Sequence, residues 1–247
     1  MRYLIISDIH GNLEALHACL EDARRRGFDQ TLVLGDLVGY GADPNAIVDE
    51  VIALEPVAIV RGNHDKVAMG LEQAEGFNAA ARRAAEWMLA ELTPEHRQWL
   101  IDLPAGPTAV DDLIEICHGS PVDEDAYIFD ETDALRALQV ATRPLCLFGH
   151  THHPVVFNLS DGVLDGIGSP RVPEMRLALE QNVKYLVNPG SVGQPRDGDS
   201  RAAYAIVHPD TRRVDMIRVT YDIETAQRKI LEAGLPEPLA RRLAAGR

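Results

Sequence analysis

The stretch Leu4-Ile5-Ile6-Ser7-Asp8-Ile9-His10-Gly11-Asn12 begins as an apolar run and ends in two side chains that can bind a metal ion. A segment with helical periodicity follows it, from Asn12 to about Arg26. A short apolar run that passes through a turn into a helix is typical of a buried strand. We therefore predict that Asp8 and His10 lie at the carboxyl end of a strand, where open α/β sheets bind ligands.

Two later apolar runs repeat this arrangement. Residues 31–34 end in Gly35-Asp36, and residues 57–60 end in Arg61-Gly62-Asn63-His64-Asp65, with a predicted helix from Pro44 between them. Strands that alternate with helices form parallel sheets, because each crossover returns the chain to the same edge. All three polar turns should therefore lie on one edge of a βαβαβ unit.

Polar residues also follow the predicted strands of the second half. A hairpin ends at His118, and residues 145–148 end in Gly149-His150-Thr151-His152-His153. A strand over 184–187 ends at Asn188, and two more strands cover about 203–207 and 213–221. We interpret 72–102 and the tail from 223 as helical and 160–180 as a loop or hairpin. The pattern predicts a parallel half followed by hairpins, with helices outside.

Composition narrows the class of protein. The 247 residues are 46% apolar and 25% charged, as in a soluble globular protein, and no apolar run approaches the ~20 residues of a membrane span. Three cysteines at unrelated spacings and the lack of a secretory signal predict a cytoplasmic protein with reduced thiols. The net charge of −14 predicts no binding to duplex nucleic acid, which depends on a basic surface.

The predicted strand ends together offer two carboxylates, one amide and five imidazoles. These belong to Asp8, His10, Asp36, Asn63, His64, His118, His150 and His152. Mixed nitrogen and oxygen ligands suit Mn, Fe, Zn, Co or Ni, whereas a structural zinc site would need a thiolate cluster. Asp36 is the natural bridging ligand, because one carboxylate can bind two ions.

This ordered set of motifs resembles that of the calcineurin-like metallophosphoesterases over about residues 4–155. Residues 35–41 and 188–192 further resemble the small prokaryotic phosphodiesterase branch. The resemblance implies an α/β fold (α+β in some schemes), a four-layer αββα sandwich of two mixed sheets flanked by helices, with the active site at the carboxyl ends of the strands. It also implies a single domain over 1–247, with a helical insertion at about 72–102 and a helical tail at about 223–247.

By motif position, the resemblance implies two divalent ions that share Asp36. Asp8, His10, Asp36 and His152 would hold the first ion, and Asp36, Asn63, His118 and His150 the second. Two ions can lower the pKa of a shared water and stabilise both oxygens of an in-line displacement. Our hypothesis is that a bridging hydroxide attacks phosphorus directly and that His64 donates a proton to the leaving group.

The chain departs from the protein phosphatase branch at Gly39 and Tyr40, where that branch has an Asp-Arg pair. A phosphoprotein phosphatase is therefore disfavoured, and the group that orients His64 is open, with Asp65 as a candidate. Arg196 and Tyr40 are candidate substrate contacts, although a solvated loop position is the alternative for Arg196. His153 should face away from the ligands. His17, His96 and His208 are assigned structural roles.

The leading interpretation is a phosphodiesterase that acts on a small soluble phosphate ester. The alternatives are a pyrophosphohydrolase of dinucleoside polyphosphates such as diadenosine tetraphosphate and, from another class, a binding scaffold without catalytic activity. The sequence leaves open the metal identity, the natural substrate, a homo-oligomer, and whether residues 72–102 cover the site.

Overall fold

The computed structural model of the chain describes residues 1–74, 76–168 and 171–247. Two six-stranded mixed sheets lie face to face, with helices on their outer faces. Alternate residues of the first sheet, such as Ile5 and Leu32, pack against Ile114 and Val187 of the second sheet. Their neighbours in sequence face the helices instead, because successive side chains of a strand point to opposite faces. The predicted four-layer α/β sandwich is confirmed.

The described residues contain twelve strands, bounded as follows. They are β1 (Tyr3–Ile6), β2 (Gln30–Val33), β3 (Ala58–Ile59), β4 (Thr108–Ala109), β5 (Ile114–Ile116), β6 (Leu145–Leu147), β7 (Val155–Ser160), β8 (Val163–Ile167), β9 (Glu174–Ala178), β10 (Lys184–Asn188), β11 (Ala202–His208) and β12 (Arg213–Val219).

The helices occupy the outer layers. They are α1 (Leu13–Arg26), α2 (Pro44–Ala53), α3 (Asn63–Ala68), α4 (Ala79–Glu91), α5 (Pro94–Ile101), α6 (Glu131–Val140), α7 (Ile223–Glu232) and α8 (Glu237–Ala245), with a 3₁₀ turn at Pro209–Thr211. None of the helices within the described ranges is long and apolar enough to cross a lipid bilayer.

The first sheet has the order β3-β2-β1-β11-β12-β9. Strands β1, β2 and β3 are parallel, with Ile6 opposite Val33 and Val33 opposite Ile59. The predicted βαβαβ unit is therefore present. Its three carboxyl ends lie at one edge, which brings the turns that begin at Ser7, Leu34 and Val60 together.

The second sheet has the order β4-β5-β6-β10-β7-β8. Its strands β5, β6 and β10 are also parallel, with Ile116 opposite Leu147 and Leu147 opposite Val187. The turns that follow these strands carry His118, His150 and Asn188. Hydrogen bonds join the edges of the two sheets, for example from the Val192 amide to the Ser7 carbonyl at 2.9 Å.

Three segments differ from the sequence interpretation. Residues 160–180 were predicted as one loop or hairpin, but β8 pairs with β7 while β9 joins the other sheet beside β12. Ser169 and Pro170 of that segment lie outside the described residues. Helix α3, interpreted only as a polar turn, is six residues long, too short to show a periodic pattern. Helix α6 was not predicted, although Asp130 caps it by accepting from two backbone N–H groups.

Candidate metal centre

Six of the seven predicted metal ligands form two groups of converging side chains at the shared edge of the sheets. Asp8, His10, Asp36 and His152 form the first group, and Asp36, His118 and His150 form the second, with the donor atoms of each group within 4.8 Å of one another. All six side chains are buried. The seventh ligand, Asn63, places Oδ1 3.3 Å from His118 Nε2, beside the second group.

Asp36 lies between the two groups, as the sequence predicts for a bridging ligand. Its Oδ2 atom is 3.4 Å from His10 Nε2 and 3.5 Å from His118 Nε2. Its other oxygen accepts a hydrogen bond from the His64 amide at 2.9 Å, which fixes the orientation of the carboxylate. Oδ2 is buried and has no hydrogen-bond partner among the described residues. An unpartnered buried carboxylate oxygen is costly, and a cation at this position would compensate that cost.

Five of these residues have left-handed backbone conformations. The φ angles are 52° for Asp8, 49° for His10, 51° for Asp36, 66° for His150 and 60° for His152. Positive φ is uncommon outside glycine and costs free energy, although Asp and His tolerate it better than most residues. The sharp turns allow side chains close together in sequence, such as Asp8 and His10, to point into the same site.

Hydrogen bonds to backbone carbonyls assign the tautomers of the four histidines. His10 Nδ1 contacts Val38 O at 3.2 Å, His118 Nδ1 contacts Leu34 O at 2.8 Å, His152 Nδ1 contacts Gln194 O at 2.6 Å, and His150 Nε2 contacts Asp125 O at 3.1 Å. Because a carbonyl can only accept, each of these nitrogens carries the hydrogen. In a neutral ring the opposite nitrogen then keeps a lone pair, which is the form that binds a metal ion.

These second nitrogens face one another in pairs. His10 Nε2 lies 3.1 Å from His152 Nε2, and His118 Nε2 lies 3.1 Å from His150 Nδ1. Two lone pairs repel at this distance unless a cation or a proton lies between them. The donor set therefore fits two divalent ions that favour nitrogen and oxygen ligands.

Burial determines the protonation of most of this cluster. It lowers the pKa of His150 to about 3 and the pKa values of His10 and His152 well below the usual range, so that these rings are neutral at pH 7. Burial also lowers the pKa of His118, but the Asp36 carboxylate outweighs it and raises that pKa to about 10. Without an ion, a proton on His118 thus balances one carboxylate. Metal binding would displace that proton.

Two glycines allow the backbone to approach the ligands closely. A Cβ atom on Gly62 would overlap the Asp36 carboxylate, and one on Gly149 would overlap the side chain of Ser7 and lie 2.8 Å from Asp8 Oδ2. The Ser7 hydroxyl donates to that same Asp8 oxygen at 2.6 Å. The carboxylates are therefore held by neighbours that leave no room for a larger residue.

Asp65, the candidate for orienting His64, has a different role in the structure. Its buried carboxylate accepts hydrogen bonds from the backbone amides of Leu37 at 2.9 Å, Val38 at 3.1 Å and Gly62 at 2.9 Å. These bonds join the turn after β2 to the start of α3. Asp65 thus positions the loops that carry Asp36 and His64 rather than bonding to the imidazole.

The His64 ring is packed among aromatic side chains at the edge of the first group. Its centroid is 4.9 Å from His10, 4.4 Å from Tyr40 and 4.5 Å from Phe77. Burial lowers the pKa of His64 to about 4. The predicted helical segment 72–102 thus contributes Phe77 to the site, a residue that no sequence motif singled out.

Arg196 and Tyr40, the candidate substrate contacts, lie together beside His64. Arg196 Nη2 donates to the Tyr40 hydroxyl and to Gln194 Oε1, both at 3.1 Å. Arg196 is half-buried in the loop after β10, and its role as a substrate contact stays a prediction. The Tyr40 ring also lies 4.7 Å from the His10 ring.

Two stacked aromatic rings extend from His150 of the second group toward the surface. The Tyr127 ring stacks on His150, with centroids 3.8 Å apart, and Phe129 stacks on Tyr127 at 4.8 Å. Phe129 is 67% exposed, which is unusual for a phenylalanine this close to a buried cluster. The sequence analysis missed both rings, because no motif or periodicity connects them to the ligands.

The histidines that were not predicted as ligands have other hydrogen-bond partners. His153 Nδ1 contacts the Thr151 carbonyl at 2.7 Å. His17 lies 3.3 Å from Glu50 Oε1, His96 lies 2.9 Å from Asp49 Oδ1, and His208 lies 2.9 Å from Asp215 Oδ2. The Asn188 turn supports the centre, because its side chain donates to the Gly149 carbonyl at 2.7 Å.

Comparison with known proteins identifies the family. The profile of the calcineurin-like phosphoesterase superfamily domain matches residues 1–212. The chain is 36% identical over 248 residues to the uncharacterized protein MJ0912 of Methanocaldococcus jannaschii, covering 98% of this chain and 97% of that protein.

Two solved structures resemble the chain along its length. The metallophosphoesterase from Sphaerobacter thermophilus is 42% identical, with a TM-score of 0.87 over 100% of this chain and 99% of that one. The hypothetical protein PH1004 from Pyrococcus horikoshii OT3 shares the fold at 20% identity, with a TM-score of 0.79 over 100% and 98%. The two converging ligand groups and the matched family together show that this chain belongs to the calcineurin-like phosphoesterase superfamily and is a metal-dependent phosphoester hydrolase.

Proposed function

We propose that the protein is a phosphodiesterase that hydrolyses a small soluble phosphate ester with two divalent ions. The observation that carries this proposal is the shared Asp36 oxygen, which faces ligands of both groups and has no hydrogen-bond partner among the described residues. We further propose that the active unit is one domain over the whole chain.

The proposed ligands of the first ion are Asp8, His10, Asp36 and His152, and those of the second ion are Asp36, Asn63, His118 and His150. When bound, two such ions supply a water of lowered pKa and neutralise the charge that develops on phosphoryl oxygens. The lone pairs of the four histidines and the two carboxylates support this assignment. Mn is the ion that we would load first, because the mixed donor set accommodates it.

His64 is the proposed proton donor to the leaving alkoxide. Its ring packs against His10 and Tyr40, next to the place where the first ion would bind. Because burial lowers its pKa to about 4, the ring is neutral in the substrate-free protein at pH 7. An anionic phosphate beside the ring would raise that pKa and so favour the protonated form of His64 when the substrate is bound.

The proposal is tested by hydrolysis of bis-p-nitrophenyl phosphate, p-nitrophenyl phosphate and diadenosine tetraphosphate, with metal-stripped protein reloaded with Mn. Asp36→Asn should lose the second ion and nearly all turnover, whereas Asp49→Asn, a change at a carboxylate that is 70% exposed, should keep both. A higher rate with diadenosine tetraphosphate than with the two nitrophenyl substrates would favour a pyrophosphohydrolase over a phosphodiesterase. No turnover with two ions bound would favour the binding scaffold.

The role of His64 is tested separately. His64→Ala should retain two Mn ions per chain and lose about 10²- to 10⁴-fold in kcat, the usual contribution of a general acid. An equal loss of metal content and turnover would show that His64 supports the metal centre instead.

A further inference from the structure

Two arginines from distant parts of the chain flank the same ring beside the metal centre. Arg196 follows β10, and Arg242 lies near the end of α8, yet the Cζ atom of each is 5.6 Å from the Tyr40 ring centroid. The Tyr40 ring in turn contacts His10 at 4.7 Å and His64 at 4.4 Å. Both guanidinium groups are therefore separated from His10 and His64, at the proposed active site, by the Tyr40 ring alone.

Neither guanidinium has a carboxylate within ion-pair distance among residues 1–74, 76–168 and 171–247, although the chain carries 38 acidic residues. By contrast Arg241, the residue before Arg242 in α8, pairs with Glu237 at 2.6 Å. Arg196 Nε is buried without a hydrogen-bond partner in the same ranges. Two half-buried like charges without a carboxylate in direct contact among the described residues are unfavourable, and the binding of an anion would relieve that cost.

The position of Arg242 is fixed by packing. Helices α7 and α8 bury Ile230, Leu239 and Leu243 against Tyr40, and the Gly198 amide donates to the Gly246 carbonyl at 2.9 Å. Lys229 of α7 also bonds to Asp43 at 2.9 Å, which fastens the helical pair to the loop that carries Tyr40. This segment lies beyond residue 212, where the family profile ends.

We propose that Arg242 is a substrate-recognition residue which, with Arg196, binds an anionic group next to the scissile phosphate. The inference rests on the proposed function and narrows its substrate class. A simple phosphodiester brings one negative charge, whereas two guanidiniums without carboxylates match a substrate with a second phosphoryl group. Planar guanidinium groups bind phosphoryl oxygens through paired hydrogen bonds, which makes arginine better suited to this role than lysine.

Binding of two phosphonates that cannot be hydrolysed tests the inference without turnover. Calorimetry of Mn-loaded protein would compare methylenediphosphonate, with two anionic groups, and methylphosphonate, with one. Arg242→Met should weaken methylenediphosphonate binding about ten- to hundredfold, the factor that one charge-assisted hydrogen bond supplies, and methylphosphonate binding less than about threefold. Arg241→Met removes the same charge from the exposed side of α8 and should change neither affinity.

If Arg242→Met lost affinity equally for both phosphonates, or lost affinity for neither, the inference would be overturned. If Arg242→Met does not fold, as judged by thermal denaturation, Arg242→Gln keeps N–H donors without the charge, and the same selective loss is expected.

Steady-state kinetics separate this inference from the proposed function. Wild-type protein that hydrolyses no phosphoester refutes the proposed function, whereas an Arg242→Met variant whose kcat/KM falls equally for bis-p-nitrophenyl phosphate and diadenosine tetraphosphate refutes the inference alone.

Discussion

Gly62→Ala is expected to disable the metal centre while leaving most of the fold intact. Gly62 has φ −110° and ψ 176°, a conformation that alanine adopts without strain. Any effect of the substitution must therefore come from the added methyl group. That methyl group would overlap one oxygen of the Asp36 carboxylate and lie 2.7 Å from its Cγ and 2.5 Å from the Asp36 backbone nitrogen, so that the main chain of Asp36 must shift with its side chain.

The structure sets the size of the effect. Carbon atoms in contact lie about 3.5 to 4.0 Å apart, so the Asp36 carboxylate must move by about 1 Å. Overpacking of a buried site costs about 1 to 3 kcal/mol of the free energy of unfolding. A misplacement of about 1 Å in a catalytic site can lower the rate about 10²-fold. The variant should thus lose far more activity than stability.

Metal content, thermal denaturation and hydrolysis of bis-p-nitrophenyl phosphate would be measured on protein stripped of metal and reloaded with Mn. Gly168→Ala is the matched control, because Gly168 is exposed and a Cβ atom there meets no atom of the described residues within 4 Å. The control should behave as the wild type does. Retention of two ions and of turnover within about threefold in Gly62→Ala would refute the idea that Asp36 must occupy its present position.

Three further outcomes are expected. If an aromatic group of the substrate stacks on the exposed Phe129 ring, Phe129→Ala should lower kcat/KM for nucleoside or aryl esters about two- to tenfold, because a stacked ring pair contributes about 0.5 to 1.5 kcal/mol, while Val163→Ala, at an equally exposed position, should not. Tyr204→Phe should lower the free energy of unfolding in urea by about 1 to 3 kcal/mol, because its hydroxyl donates to the Asp22 carboxylate at 2.7 Å. Mn at about 100 times the dissociation constant of a site should stabilise the metal-stripped protein by about 2.7 kcal/mol and raise Tm by about 5 to 11 °C for each ion bound, and Asp36→Asn should lose the gain that belongs to the second ion.

Most of the strands and the identities of the candidate ligand residues could be predicted from the sequence. The apolar runs before Asp8, Asp36 and His150 are short, buried and followed by polar turns, a local pattern that predicts strands whose ends meet. The resemblance of those turns to known motifs then predicted which side chains share an ion. The structure brings these side chains together, and the ligand roles themselves stay predictions for the metal experiments.

Contacts between residues outside the motifs could not be predicted from the sequence in this way. Phe77 and Tyr127 carry no periodic signal that connects them to His64 or His150, and each contact depends on how a loop folds back over the sheets. Asp65 was assigned by its position next to His64. Its carboxylate instead bonds to backbone amides on a loop almost 30 residues earlier, at Leu37 and Val38.

The sequence by itself determined the alternation of strands and helices in the parallel half and the chemical nature of the candidate ligands, because both follow from local patterns of apolar and polar residues. Only the tertiary structure decided which side chains meet. His10 and His152 are 142 residues apart in the chain, and Arg196 and Arg242 contact the same Tyr40 ring from a loop and from the last helix. Such contacts depend on the packing of the two sheets and the docking of α8, which bring distant residues within a few ångströms and leave no trace in local periodicity.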